Sequence, residues 1–391
     1  MSFKTFIFVW VGLCLVEGVV GAKEVQPNDP YYSYQTAFKN SSSSHGSIVD
    51  TWGLQTDASH VIIAVIDSGV DLTHPDLIDN FWVNRKEIPG NGIDDDGNGY
   101  IDDVHGYDFK NKDGNPEDET GHGSLTAGII GDVGDNGIGS AGVAWSVQLM
   151  ILKVFGSSGG GTADNLAAAI DYAVTNGAQI INASWTTQPT FKGDEIDILK
   201  EAVARAQEAG VLVVAAAGNE ATNIDEEPVF PASYSFDNII SVAALEKDSS
   251  RLLSHSNFGK NSVSVAAIGD ELVGAYLKGG YATLTGTSAA TAVVSGVSAL
   301  MLATNSSLKP KEIRDILMTT SDPLRVLTGL VASSGSLNAY ESIAQSKIPK
   351  TLSVQSTSQG TPAGTGAPVS ETGTSSEKSS GSSAGGCSLI P

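Results

Sequence analysis

Short apolar runs rich in β-branched residues alternate with helix-forming runs from about residue 50 to residue 346, and this alternation constrains the fold more than any other feature. The runs that predict strands are almost continuously apolar, as in strands buried on both faces of a sheet. They lie at residues 61–66, 148–154, 180–184, 211–216, 239–243 and 263–267. Helices are predicted over residues 163–176, 195–209, 289–304 and 309–318. The sequence therefore predicts an α/β fold: a doubly wound, mostly parallel sheet with helices on both faces, which binds ligands at the carboxyl ends of its strands.

The two ends of the chain differ in composition from this α/β region. Residues 1–22 contain a lysine, an apolar run too short to span a bilayer, and small residues ending at Ala22, which is the order of a secretory signal peptide. Residues 23–49 form a short, mostly polar extension. Residues 347–391 are rich in Ser, Gly and Thr and can bury too little apolar surface to offset their ordering entropy. We therefore predict one folded domain at residues 50–346, followed by a disordered tail.

The charge balance excludes some classes of partner. The chain has 44 acidic and 22 basic residues, a formal net charge of −22. Nucleic acids and anionic membranes bind basic surfaces, so neither is expected as a partner. We expect a secreted, extracellular monomer with no membrane span in the mature chain. Removal of the signal peptide also removes Cys14, which leaves Cys387 without an intramolecular disulfide partner.

An acidic segment at residues 91–103 places oxygen-bearing groups at alternate positions around glycines. The groups fall at the ligand positions of an EF-hand-like loop: Asp94, Asp96, Asn98, the Tyr100 carbonyl and Asp102. The closing glutamate of an EF-hand is missing. A solvated acidic loop is the alternative, but hard oxygen donors at this spacing suit calcium, and calcium is the cofactor that we predict.

Four polar side chains stand where predicted strands end or helices begin. Asp67 follows the strand at 61–66, and Asn219 follows the strand at 211–216. His122 lies between two glycines at the start of an apolar run, and Ser288 directly precedes the helix at 289–304. Each alone is more often a cap or a turn residue. Together they supply what nucleophilic catalysis by serine needs: a hydroxyl, an imidazole, an orienting carboxylate and an oxyanion donor.

The segments around these four residues resemble the signature motifs of the subtilisin-like serine proteases (subtilases), in the order of that family. The segments are Asp67-Ser68-Gly69, Gly121-His122-Gly123-Ser124, Ala217-Gly218-Asn219 and Gly286-Thr287-Ser288. The resemblance covers about residues 27–346 and implies a peptidase domain at residues 50–346. It implies Ser288 as nucleophile, His122 as general base, Asp67 as its orienting carboxylate and Asn219 in the oxyanion hole. The implied activity is that of an endopeptidase, with an acyl-enzyme intermediate and protein or peptide substrates.

The resemblance also implies a cleft in which the substrate backbone lies as a strand between two segments of enzyme. The substrate-binding residues that it assigns are Gly159, Gly160, Gly161, Ala183, Ser184, Trp185, Ala217 and Gly218. It further implies a second calcium site, formed by carbonyl groups of residues 135–140 and by the side chains of Asp76 and Asn136.

The chain departs from the family at several positions. Ala289 and Ala292 stand where Met and Pro are usual after the nucleophile, Ser124 replaces a threonine, and Thr186 replaces a glycine beside the cleft. Most relatives carry a longer prodomain, so either this protein folds unassisted or the gene model lacks an exon. A catalytically silent subtilase fold that serves as a binding module is therefore the alternative. A lipase or esterase is disfavoured, because its G-x-S-x-G pattern occurs only at residues 381–385 of the tail.

Overall fold

The computed structural model describes residues 25–39, 47–157, 160–187 and 191–348, together with a short strand at 387–389. The predicted signal peptide and most of the predicted tail lie outside these residues. The strands are β1 Asp57–Asp67, β2 Gly106–Asp108, β3 Ser146–Lys153, β4 Ile180–Ala183, β5 Leu212–Ala216, β6 Ile239–Leu245, β7 Val265–Ile268, β8 Leu272–Tyr276, β9 Gly280–Leu284, β10 Asp322–Pro323, β11 Gly335–Ser336 and β12 Cys387–Leu389. The helices are α1 Ile48–Trp52, α2 His122–Gly131, α3 Ala163–Thr175, α4 Asp194–Glu208, α5 Thr287–Thr304, α6 Pro310–Thr319 and α7 Ala339–Ser346.

The main sheet of the described residues has nine strands in the order β10-β11-β7-β6-β5-β4-β1-β3-β2. All neighbours pair in parallel except β10 and β11. From β1 the chain runs first to β2 and β3 on one side, then crosses to β4 on the other side. The carboxyl end of β1 therefore lies at the point where the winding reverses, which is where ligands bind in sheets of this type. The predicted α/β fold is confirmed.

Helices cover both faces of this sheet, and side chains of β1 alternate between them. Ile63 and Val65 belong to a core shared with α2, α5, α6 and α7, whereas Ala64 and Ile66 belong to a core shared with α3 and α4. Helix α5 is long and apolar enough to cross a membrane by length and composition. It lies inside the domain, with 89% of its apolar window buried, so its apolarity is that of a core helix.

Two segments outside the predicted domain pack against it. Tyr31 N donates to Gly139 O at 2.7 Å, which ties the extension to the loop after α2. Strand β12 pairs antiparallel with β9 and completes a small three-stranded sheet with β8. The sequence analysis assigned β12 to the disordered tail and did not anticipate this pairing.

Candidate active site

Asp67 and His122 are hydrogen-bonded at the carboxyl edge of the sheet. Asp67 is the last residue of β1 and is buried, while His122 is the first residue of α2. Nδ1 of the imidazole lies 2.7 Å from Asp67 Oδ1, which also accepts a hydrogen bond from Ser68 N at 2.7 Å. Because an ionised carboxylate only accepts, this contact places a proton on Nδ1 and leaves Nε2 as the basic nitrogen of the ring. The His122 side chain is 36% exposed, so a substrate can reach it.

Opposing effects act on the protonation of His122. Partial burial of the ring lowers the pKa of His122, but the charge of Asp67 and its hydrogen bond raise it, and Asp118 adds a smaller contribution of the same sign. The net result is a pKa above the usual value of 6.5. The carboxylates therefore stabilise the imidazolium form, as a general base requires once it has taken a proton.

Ser288 lies in the first turn of α5, whose free N–H groups favour negative charge. Its Oγ donates to Ser184 O at 2.9 Å, and Ser184 Oγ donates to Ser288 O at 3.0 Å. No hydrogen bond joins Ser288 to His122 in the described part of the chain. The Ser288 hydroxyl must give up its bond to Ser184 O to donate to His122, and hydrogen bonds between catalytic groups often form only when substrate is bound.

Asn219 follows β5 and contacts the residue before Ser288. Its Oδ1 accepts from Thr287 N at 2.9 Å and from Thr287 Oγ1 at 3.2 Å. The donor end of the amide, Nδ2, therefore points away from Thr287 N. Gly286 allows this approach, because a Cβ there would lie 3.0 Å from Asn219 Oδ1. The amide that the sequence assigns to the oxyanion hole thus lies beside the start of α5.

A buried residue that the sequence analysis missed, Asn257, shapes the loop that carries Asn219. Asn257 Nδ2 donates to Ala217 O, and its Oδ1 accepts from the N–H groups of Glu220 and Thr222, each at 2.9 Å. These bonds join residues on both sides of Asn219 to one side chain. No periodicity or capping pattern marks Asn257 in the sequence, so only the tertiary contacts reveal its role.

Phe155 links the two predicted cleft segments where the structure describes them. Gly159 lies outside the described residues, whereas Gly160 and Gly161 directly precede the N-cap of α3. Phe155, four residues before the first segment, contacts Trp185 of the second, with ring centroids 6.0 Å apart, and a Cβ on Gly161 would lie 3.4 Å from its ring. The described parts of the two segments are therefore connected through an aromatic side chain that the sequence analysis did not assign.

The remaining predicted cleft residues occupy strand ends and turns. Ala183 and Ala217 are buried, and both backbone groups of Ala217 have partners within the protein: its N–H donates to Val242 O at 3.0 Å and its carbonyl accepts from Asn257 Nδ2. Gly218 has φ +104°, which favours glycine, and its N–H donates to Thr287 Oγ1 at 3.1 Å. Thr187, which follows the second segment, is hydrogen-bonded to the loop that contains Phe230. Its N–H donates to Phe230 O at 2.8 Å, and its Oγ1 accepts from Phe230 N at 3.1 Å.

The acidic segment brings together only part of the ligand set predicted for calcium. Oxygen atoms of Asp94, Asp96 and Glu87 all lie within 4.8 Å of one another, an arrangement that could hold a metal ion. Glu87 was missed because it precedes the acidic segment. Its Oε1 accepts from Asp95 N at 2.9 Å, and its Oε2 accepts from Asp102 N at 3.1 Å, so it lies against the loop from outside.

The carboxylate of Asp102 has a different contact from the predicted one. Its two oxygens accept hydrogen bonds from Asn91 N at 3.1 Å and Gly92 N at 3.0 Å, because the turn at Asp102, with φ +52°, directs the side chain to the start of the loop. Asn98 Oδ1 accepts from Tyr100 N at 2.7 Å. The structure therefore joins Glu87, rather than Asp102, to Asp94 and Asp96.

A second group of carboxylates surrounds the predicted pair Asp76 and Asn136. Asn136 Nδ2 donates to Asp76 Oδ1 at 2.8 Å, and Asp29 accepts from Asp135 N at 2.7 Å and from Asn136 N at 3.2 Å. Burial raises the pKa of Asp76 to about 6, with a further contribution from Asp29. Burial and the charge of Asp76 also raise the pKa of Asp132 well above its usual value. The folded chain thus crowds carboxyl groups here, and keeping all of them ionised costs energy.

Comparison with known proteins identifies the family. The family model described as the subtilase family, peptidase S8, matches residues 58–340. The chain belongs to the subtilase family. Thermitase of Thermoactinomyces vulgaris is 32% identical to this subtilase over 321 residues, which cover 81% of this chain and 99% of thermitase. Subtilisin-like protease 1 of Plasmodium falciparum is 34% identical over 294 residues, which cover 70% of this chain and 42% of that protein, so the chain spans less than half of its length.

Solved structures show the same fold. A cold-adapted subtilisin-like serine proteinase is 27% identical with a TM-score of 0.56, over 72% of this subtilase and 88% of that chain. A protease of Pseudoalteromonas arctica has a TM-score of 0.65 at 23% identity, over 82% of this chain and 100% of that one, and supports the fold alone. The family and fold predicted from the four motifs are confirmed, and with them the enzyme class of subtilisin-like serine peptidases.

The raised pKa of His122 gives the first prediction for this subtilase. If Nε2 is the general base, kcat/KM should fall as the pH decreases through the pKa of His122, because the protonated ring cannot accept a proton. The midpoint of this acid limb should lie above 6.5, since Asp67 and Asp118 favour the charged form. The measurement is kcat/KM against pH on a peptide substrate, with tryptophan fluorescence as a control for folding at each pH. A midpoint at or below 6.5 contradicts the assignment.

Proposed function

We propose that this subtilase is a secreted serine endopeptidase. Ser288 Oγ attacks the carbonyl carbon of a peptide bond while His122 Nε2 takes its proton. The imidazolium then gives that proton to the leaving amine as the carbon–nitrogen bond breaks, which leaves an acyl group on Ser288. Water attacks this ester, His122 again accepts and returns a proton, and the carboxylic acid product leaves. The observation that carries the proposal is the 2.7 Å hydrogen bond between Asp67 and His122 at the winding reversal of the sheet.

The oxyanion of each tetrahedral intermediate would be stabilised from two directions. Asn219 Nδ2 is turned away from Thr287 N, and Ser288 lies at the N-terminus of α5, where backbone N–H groups favour negative charge. The substrate would lie extended between residues 159–161 and 183–185, next to Ala217 and Gly218, where glycine backbone permits main-chain pairing. The predicted signal peptide supports secretion of this activity.

The proposal is tested with purified secreted protein and a mixed peptide library, with the cut sites identified by mass spectrometry. We expect internal cleavage of peptides, together with covalent labelling by a serine-directed phosphonate. An ester-only substrate is run in parallel. Hydrolysis of the ester without cleavage of any peptide would contradict the endopeptidase assignment.

A catalytically silent binding module is the second candidate, and the hydrogen bond from Ser288 Oγ to Ser184 O is the observation that favours it, since it gives the hydroxyl proton to a carbonyl oxygen and not to the base. This candidate predicts that neither the peptide library nor the ester is turned over, and that the phosphonate leaves Ser288 unlabelled. The peptidase proposal predicts both turnover and labelling, so the same assay separates the two.

We also propose that calcium stabilises this domain at both of the carboxylate clusters described above. The donors fit, because calcium prefers oxygen ligands and each group combines carboxylates with nearby carbonyl or amide oxygens. One group would use Glu87, Asp94 and Asp96, and the other would use Asp29, Asp76 and Asn136. A bound divalent cation supplies positive charge that offsets the repulsion between these carboxylates.

Chelation should therefore lower the melting temperature. Calcium that binds only the folded state should add about 3 to 4 kcal/mol to the unfolding free energy when its concentration is about 100 to 1,000 times the dissociation constant. Calorimetry in chelator and in millimolar calcium measures the difference in melting temperature. Every variant also carries Ser288→Ala, which prevents self-digestion. Replacing Asp94 and Asp96 with Ala should remove much of the difference.

The matched control replaces Asp248 and Asp315 with Ala. Both are acidic residues outside the two carboxylate clusters. This pair removes the same amount of charge from the surface, so it separates loss of ligands from loss of general repulsion. We expect its response to chelator to equal that of the parent chain. Equal melting of the parent chain in chelator and in calcium would refute the metal assignment.

A further inference from the structure

Asp118 is a buried carboxylate near the triad that the proposed mechanism does not use. Its Oδ1 accepts from Ser68 Oγ at 2.9 Å, Thr120 N at 2.9 Å and Gly121 N at 3.0 Å. Its Oδ2 accepts from Ser124 N at 3.0 Å and Ser124 Oγ at 2.8 Å. Every one of these partners donates, which matches an ionised carboxylate, a group that only accepts.

These bonds connect the two segments that carry Asp67 and His122. Ser68 directly follows Asp67, and its Oγ donates to Asp118 while accepting from Gly123 N at 2.9 Å. Gly121 and Gly123 flank His122 on either side. One carboxylate thus joins the end of β1 to the first turn of α2 through a path separate from the Asp67–His122 hydrogen bond.

The network continues without solvent-exposed links. Ser124 Oγ, besides donating to Asp118, accepts from Asp71 N at 3.0 Å, which ties the first turn of α2 to the segment after β1 a second time. Ser68, Asp71 and Ser124 are all buried. Hydrogen bonds to a charged group in such surroundings are stronger than bonds between neutral groups, so the network resists displacement of the two segments.

We propose that Asp118 is a positioning residue, whose ionised carboxylate holds the end of β1 and the start of α2 together and so maintains the length and direction of the Asp67–His122 hydrogen bond. Its catalytic consequence rests on the function proposed above. The direction of its effect on the pKa of His122 agrees with this role, since Asp118 raises it alongside Asp67.

A purely structural role predicts something different. If Asp118 only caps α2, replacing it should lower stability and leave the folded fraction with normal kinetics and a normal His122 titration. If it positions the pair, the folded fraction itself should be altered. The decisive measurements are therefore made per folded molecule, and they include the protonation of His122.

The first experiment compares Asp118→Asn with Glu119→Gln in the otherwise unmodified chain. Glu119 is the adjacent carboxylate, its side chain is 46% exposed, and it contacts Lys153 and Ser157 rather than the triad segments. For Asp118→Asn we expect kcat on the alkaline plateau to fall about 10- to 100-fold, with little change in KM, and the acid limb to move to lower pH. Glu119→Gln should change neither. An unchanged kcat and an unchanged acid limb in Asp118→Asn overturn the proposal.

The second experiment does not depend on catalysis. In the Ser288→Ala background, NMR titration of isotope-labelled histidine follows His122 and its Nδ1 proton. Asp118→Asn should lower the titration midpoint of His122 and shift the Nδ1 proton resonance, whereas Glu119→Gln should do neither. An unmoved midpoint and resonance overturn the positioning role. A chain that shows both shifts but cleaves no peptide would instead refute the proposed function while keeping Asp118 as the positioning residue.

Should Asp118→Asn fail to fold, Ser68→Ala carries the test. It deletes the hydroxyl that links Asp118 to Gly123 N and leaves the other bonds of Asp118 in place. A smaller loss of kcat and a shift of the acid limb in the same direction are expected. If Ser68→Ala leaves kcat and the pH of the acid limb equal to those of the parent chain, the proposal is overturned.

Discussion

Ser288→Ala should lower kcat/KM on peptide substrates by about six orders of magnitude, the loss seen when the nucleophile of a related triad is removed. The reason is that no other atom of the site can form the acyl bond once Oγ is gone. Among the described residues, this hydroxyl donates one hydrogen bond, to Ser184 O, so its loss should cost only about 1 kcal/mol of stability. Progress curves on a peptide and a melting curve measure the two effects together.

Ser383→Ala is the matched control for this prediction. Ser383 is the serine of the G-x-S-x-G pattern at residues 381–385, which lie outside the described part of the chain. Its replacement should leave peptide turnover and phosphonate labelling unchanged. Labelling that persists in Ser288→Ala and disappears in Ser383→Ala would reverse the assignment of the nucleophile and favour esterase chemistry.

Asn219→Ala should lower kcat by about two to three orders of magnitude with little change in KM, the effect of removing one donor from an oxyanion hole. The amide would contact the negatively charged oxygen of the intermediate more strongly than the carbonyl of the bound substrate. Its loss therefore raises the barrier without weakening substrate binding. Steady-state kinetics on one peptide substrate separate the two parameters.

A second variant separates the donor role of Asn219 from its contact with Thr287. Asn219→Asp retains an oxygen that can accept from Thr287 N, as Oδ1 does at 2.9 Å, but replaces the donor Nδ2 with oxygen. We expect a loss at least as large as that of Asn219→Ala. Asn223→Ala, which removes a half-buried amide from the same loop that bonds only to Asp225 and Glu226 among the hydrogen bonds described, should leave kcat unchanged. A normal rate in Asn219→Asp would mean that the side chain only holds Thr287 in place.

The apolar runs of the sequence located the main sheet well. The strand predicted at residues 61–66 is the buried part of β1, and the run at 239–243 is the first part of β6, which extends to Leu245. Strands β8 and β9 were not predicted, because they form a short hairpin outside the main sheet whose residues are interrupted by glycines. Continuous burial on both faces leaves a strong sequence signal, and a short antiparallel hairpin leaves a weak one.

The site was predicted in part for the same reason. Asp67, His122, Asn219 and Ser288 each stand where a regular element ends or begins, which is a local signal, but their predicted roles came from the resemblance of the surrounding segments to the subtilase motifs. Asp118 was missed, because it lies three residues before Gly121, the N-cap of α2, and its partners are revealed only by the tertiary contacts. Glu87 and Asp29 left no signal in the sequence. Each joins its cluster of carboxylates from a separate stretch of chain, so only the folded structure shows that it belongs there.

By itself, the sequence determined the family, the positions of the buried strands along the chain and the four candidate groups of the site, because these depend on residue type, motif and local backbone preference. Only the tertiary structure decided which of those groups touch. The hydrogen bond from Ser288 to Ser184 joins residues 104 positions apart, and that between His122 and Asp67 joins residues 55 apart. Such contacts are set by how strands and helices pack, to within a fraction of an ångström, and packing depends on many side chains at once rather than on any local pattern.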